Sequence, residues 1–146
     1  MSLDPRTPVI VGAGQLFHRD GLAPEPMQLL AEAARRAEAD SGAPGLLRRL
    51  DSVRVVNLLS WRYPDPGRLL AELLGAAARH TAYTHVGGQS PQLLVSRSAA
   101  DIQAGRADLI LVGGAEAWRT RVAYPVGSRE DVERELRPRP PWRFRA

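Results

Sequence analysis

His85-Val86-Gly87-Gly88-Gln89-Ser90-Pro91-Gln92 joins a short β-rich run to an amphipathic helix, and the fold is read outward from it. Before it, Arg79-His80-Thr81-Ala82-Tyr83-Thr84 predicts a strand. After it, Ser90 is a favoured N-cap and Pro91 suits the first helical position. Leu94, Val95, Ser98 and Ile102 then mark a helix over Pro91–Ala104, which Gly105 closes. A helix that starts on a glycine pair lets backbone N–H groups approach a ligand, and its N-terminus adds partial positive charge. Such a turn suits an anion or a developing oxyanion.

On either side of this turn, short apolar runs alternate with amphipathic helices, which is the α/β pattern. Thr7-Pro8-Val9-Ile10-Val11-Gly12 predicts a first strand buried on both faces. A helix follows from Pro26, with Met27, Leu30, Ala31, Ala34 and Ala37 on one stripe and Gly42 as its stop. Val53–Leu59 predicts the second strand. Leu69, Leu70, Leu73 and Leu74 form the apolar face of a second helix that Gly75 ends, and Asp108–Gly114 predicts the fourth strand. The order is βαβαβαβ, and right-handed crossovers place such strands in one mostly parallel sheet with helices on both faces. A dinucleotide fingerprint starts at Gly12-Ala13-Gly14 but meets Phe17 where the third glycine belongs. The long gap from there to Pro26 also denies the tight strand-to-helix turn, so a glycine that ends a buried strand is the simpler reading.

With 146 residues and 44% hydrophobic content the chain suits one globular domain. Its formal charge of +4 is not spread along it: residues 119–146 hold eight arginines against four acids, while residues 1–118 are balanced. The body, 1–118, is thus the expected domain, and the Arg/Pro-rich segment 119–146 is expected to be a disordered tail. Charge confined to such a segment, without a recognisable module, argues against nucleic acid. No apolar run approaches the roughly 20 residues that span a bilayer, so no membrane partner is expected. With no signal-peptide pattern at the N-terminus, the expected compartment is cytoplasmic. There is no cysteine, which removes disulfides and thiolate chemistry, and His18, His80 and His85 are too scattered to suggest a metal site. No cofactor is expected.

Three residues are candidates for catalysis: Ser90 as nucleophile, His85 as its assistant, and Glu116 at the end of the fourth strand as an acid–base group. Each has a plainer reading. Ser90 would serve as an N-cap, His85 would hydrogen-bond at a sheet edge or a dimer interface, and Glu116 would make a structural hydrogen bond or ion pair. Trp61, Tyr63 and Trp118 would close an edge of the core rather than stack on an adenine.

Ala104-Gly105-Arg106-Ala107-Asp108 followed by Gly113-Gly114-Ala115-Glu116 resembles, in order and spacing, the first half of the thiolases. Gly87–Gln92 and the opening Arg6–Gln15 are similar to a cysteine-less branch of that family, the acetyl-CoA acetyltransferase-like and lipid-transfer-type proteins. Together the matches cover residues 5–118. The resemblance implies a thiolase-like half-domain with strand order 3-2-1-4, puts the position of the thiolase nucleophile, a cysteine, on Gly88, and carries over Gly87, Gly88 and Gln89 as a vestigial backbone-amide site for substrate. It also implies a protein of acyl-CoA or lipid metabolism, with a CoA thioester as substrate. Lacking that cysteine and the family's second half, the chain would be a truncated relative, inactive alone. The alternative it leaves is a non-catalytic assembly subunit. The expected partners are a second copy, in a homodimer, or a thiolase-like or OB-fold acyl-CoA-binding protein in a hetero-complex.

Overall fold

The computed structural model describes residues 4–123. Its elements are α1 (Pro26–Ser41), a 3-10 turn (Leu46–Arg49), β1 (Ser52–Val55), α2 (Pro66–Leu74), β2 (His80–Tyr83), α3 (Ser90–Gln103), β3 (Ile110–Gly113) and α4 (Trp118–Ala123). The three strands form a parallel sheet in the order β2-β1-β3, with Ser52 opposite His80 on one side and Ile110 on the other. The α/β class and the parallel sheet are as the sequence predicts.

The helices end where the chain leaves right-handed space. Gly42 and Gly75 sit at φ 66° in the left-handed region just past α1 and α2, a conformation that costs glycine nothing. At the start of α2 the Asp65 carboxylate accepts a 2.9 Å hydrogen bond from the N–H of Arg68, satisfying one donor of the first turn. Alternation along β1 divides the molecule. Val53 and Val55 are fully buried and join Met27, Leu30, Ala31, Leu70 and Ala71 in the core that α1 and α2 form with the sheet. Ser52 and Arg54 point to the opposite face, where Arg54 meets Asp101 of α3. Helices therefore cover both faces, as expected for parallel strands.

The first predicted strand does not join the sheet. Residues 7–12 run without strand pairing, β1 pairs directly with β3, and the observed order is the expected 3-2-1-4 with strand one taken out. The segment lies on α1 instead. A Cβ at Gly12 would meet the carbonyl oxygen of Ala37, and one at Gly14 that of Ala33, so the two glycines permit a close approach to the α1 backbone. Ala13 N–H donates to Asp40 at 2.9 Å, and Arg36 donates to the Gln15 carbonyl at 3.1 Å. Placement on the helix leaves Val9, Ile10 and Val11 exposed at 70, 86 and 52%.

Two smaller differences matter. The second strand is shorter than predicted and stops at Val55, because residues 56–60 turn to make the contacts described below. Helix α4 carries order past the expected boundary at residue 118, with Thr120 buried and its hydroxyl donating to the Ala23 carbonyl at 2.7 Å. The rest of the predicted tail, residues 124–146, lies outside the described residues.

Candidate functional site

In a parallel α/β sheet, ligands bind beyond the carboxyl ends of the strands. Here that region is organised by side chains that close on the loop after β1. Four consecutive N–H groups, of Asn57, Leu58, Leu59 and Ser60, each donate to a side chain from a neighbouring strand end. Asn57 N–H reaches Thr84 Oγ1 at 2.9 Å and Leu58 N–H reaches the Tyr83 hydroxyl at 3.0 Å. Leu59 and Ser60 N–H both reach the Glu116 carboxylate, at 2.6 and 2.8 Å. Ser60 Oγ returns the contact by accepting from Ala117 N–H at 3.0 Å. Loops after β1, β2 and β3 are thereby tied into one rim. Burial pushes the Tyr83 phenol above its ordinary range, so it stays protonated. Burial together with the neighbouring Glu25 carboxylate does the same, more strongly, to Tyr63.

Both Glu116 oxygens are engaged by backbone amides. Ser90 is neither N-cap nor presented nucleophile. It is the first residue of α3, Gln89 holds the cap position without a side-chain bond, and the buried Ser90 hydroxyl donates to the His85 carbonyl at 2.9 Å. His85 itself is exposed. The three candidates do not form a hydrogen-bonded catalytic unit in this arrangement.

The glycine turn keeps an open seat. A Cβ built on Gly88 meets nothing within 4 Å, and its backbone lies outside the positive-φ region. At Gly87 a Cβ would come within 2.9 Å of the Gln89 side-chain amide, which folds over it. The N-terminal end of α3 follows directly, so partial positive charge faces this seat.

A second constellation, which the sequence reading missed, joins β1 to α3. Arg54, 8% exposed, donates to Ser52 Oγ at 3.2 Å and pairs with Asp101, which also binds Arg106 at 2.7 Å. Burial by itself raises the Asp101 carboxyl, but hydrogen bonds and charge from Arg54 and Arg106 outweigh it and hold the group below the ordinary carboxylate range. This cluster floors one side of a groove of about 820 Å³ that runs along the β2 edge between α2 and α3. The alternation of Val53 and Arg54 in a buried strand is the signal that was available, since a buried arginine requires a partner. Among the described residues no group of three His, Cys, Asp or Glu side chains is placed to hold a metal, and no helix is long and apolar enough to cross a membrane.

The described residues are similar in structure to a monomeric SCP2-thiolase-like protein (type 1) from Mycobacterium smegmatis, with a TM-score of 0.66 and 37% sequence identity. The match covers 75% of this chain and 24% of that protein, so the chain spans about a quarter of that relative's length. No protein-family model and no curated protein matches the sequence. The fold is therefore thiolase-like.

Proposed function

We propose that the chain is a thiolase-like protein of acyl-CoA or lipid metabolism that binds a CoA thioester without carrying the acyl group covalently. Gly88 carries this reading: the thiolase resemblance puts the nucleophile there, the sequence has no cysteine, and the position opens onto free space at the head of α3. Gly87, Gly88 and Gln89 would bind the thioester, with the α3 N-terminus offering partial positive charge to its carbonyl oxygen. Against Ser90 as a replacement for the thiol stands its hydroxyl, which donates to the His85 carbonyl. The test is incubation with acetoacetyl-CoA followed by intact-mass spectrometry and an assay for free CoA. Unmodified protein and no turnover are expected. A stable acyl mass on Ser90 overturns the reading.

A second reading, a non-catalytic assembly subunit, is favoured by the exposed run Val9, Ile10 and Val11. Three adjacent aliphatic side chains in an unpaired segment invite a covering surface, which a thiolase-like or OB-fold acyl-CoA-binding partner, or a second copy, would supply. Light scattering on the chain alone and with such a partner separates these cases from a lone monomer.

A further inference from the structure

We propose that α3 is a latched helix that lifts from the sheet as a unit while the rest stays folded, with the Arg54–Asp101 ion pair as its latch; this does not rest on the acyl-CoA reading. The two faces of the sheet are held differently. Val53 and Val55 face a core built mainly from α1, α2 and the strands, and among the described residues no α3 side chain belongs to it. The opposite face is formed by Ser52 and Arg54 with their register partners His80, Ala82, Ile110 and Val112, so its middle strand is polar. Of α3, Ser90, Leu94 and Ser98 are buried, and only Leu94 among them is apolar. The two serine hydroxyls donate to the carbonyls of His85 and Leu94, so neither is spent on a strand. Leu93 and Val95 stay 42 and 47% exposed. A helix with so little apolar burial belongs to the low-stability end of a fold.

The tie from α3 to the middle strand is charged. Buried Arg54 pairs with Asp101, which lies one turn beyond Ser98 on the same stripe of the helix. Breaking this pair with α3 in place would leave a buried guanidinium without its counter-charge, whereas lifting the helix hydrates both groups together. The pair is therefore made or broken with the helix as a whole. Glycines stand at both ends of the moving piece, Gly87 and Gly88 before Ser90 and Gly105, at φ 68°, after Gln103. Lifting uncovers Ser52 and Arg54 and carries the glycine turn with it, so the head of α3 has a closed and an open position.

Because the sequence has no cysteine, a single introduced thiol reports opening at its own position. Three full-length variants, Ser98→Cys, Ser52→Cys and Val53→Cys, place it at buried sites on α3, on the β1 face beneath α3 and on the core face of β1. Labelling by DTNB in native buffer is followed for each, with the rate referred to the variant's own urea midpoint. The thiols at 98 and 52 should label at a common rate, at least about tenfold faster than the thiol at 53, which waits for global unfolding. Adding Asp101→Asn to Ser98→Cys should accelerate labelling by about tenfold or more, and Asp101→Glu, which keeps the charge, should restore most of the protection. Equal rates at 98 and 53, a thiol at 52 as slow as that at 53, or a rate at 98 that Asp101→Asn leaves unchanged overturns the proposal. Where Ser52→Cys or Asp101→Asn fails to fold, the comparison of 98 with 53 decides, since neither substitution touches the ion pair.

Discussion

Ser60 holds Glu116 and the residue after it across the rim of the sheet: Ser60 N–H donates to the Glu116 carboxylate at 2.8 Å, and Ser60 Oγ accepts from the N–H of Ala117. The pair locks the loop after β1 to the loop after β3. Replacing Glu116 by alanine removes the acceptor of two backbone donors, Leu59 and Ser60. Because Glu116 is exposed, water takes up part of the loss, and a cost of about 1 kcal/mol is expected. Ser60→Ala, at a position 1% exposed, leaves the Ala117 N–H buried and without its acceptor, and should cost about as much or more. Urea unfolding midpoints of the two variants and the double variant test the coupling. Strictly additive losses would mean that the two residues do not act as a unit.

Glycines 88 and 67 should respond in opposite ways to a side chain. Gly88→Cys adds its Cβ into open space at an ordinary φ, so stability should hold or rise by up to about 1 kcal/mol through the unfolded state. Gly67, at the first turn of α2, is built for contact: a Cβ there would stand 2.9 Å from Thr81 Cβ and 3.0 Å from the Val53 carbonyl oxygen. Gly67→Ala should lower the thermal midpoint through overpacking of about 1–3 kcal/mol. The Gly88→Cys thiol, placed at the head of α3, should also react with iodoacetamide faster than an exposed cysteine placed mid-helix at Arg97. Equal rates would count against a functional seat.

Helix positions and ends were legible because their signals are local. The stripe of Met27, Leu30, Ala31 and Ala34, the prolines at helix starts and the glycines after α1 and α2 all act within a turn or two of where they stand. The sheet was legible at the level of class, since parallel strands alternate with helices by necessity. What escaped was non-local. Whether Thr7–Gly12 enters the sheet or lies on a helix depends on the fit of Gly12 and Gly14 to the α1 backbone 20 or so residues away, and both outcomes use the same apolar string. The candidate site was half legible. Glu116 and the glycine turn were found, but Asn57, Ser60, Tyr83 and Thr84 matter only through partners 25 or more residues distant, and Arg54 was passed over inside an apolar run.

The seating of residues 7–17 on α1 should fail when its glycines are filled. A Cβ at Gly14 would overlap the carbonyl oxygen of Ala33 and stand 2.6 Å from the Ala37 nitrogen, backbone atoms of a helix that cannot give way. Gly14→Val should therefore release the segment while leaving the sheet intact. Hydrogen exchange of Ala13, whose N–H is held by Asp40, should accelerate by at least about tenfold, and exchange in β1 should not change. Acceleration in β1 as well would show that the segment supports the core and not only itself.

Acid should weaken the fold through two carboxylates that native contacts hold ionised. Asp51 accepts from the N–H groups of Asp108 and Leu109 and from Arg79, in that order of effect opposed in part by burial, and lies below its ordinary range. Asp101 is lowered as described above. A depressed folded-state value means that the unfolded chain takes up these protons first, so the stability the two groups contribute is complete above the ordinary carboxylate value, near 3.8, and is lost as the pH falls below it. Denaturant midpoints should be flat through the neutral range and drop below about pH 4. Asp101→Asn should reduce that slope and lower stability at pH 7 by about 2 kcal/mol, because it leaves the buried Arg54 guanidinium facing a neutral amide. An acid limb of unchanged slope in Asp101→Asn would mean that Asp101 is not held ionised by Arg54 and Arg106.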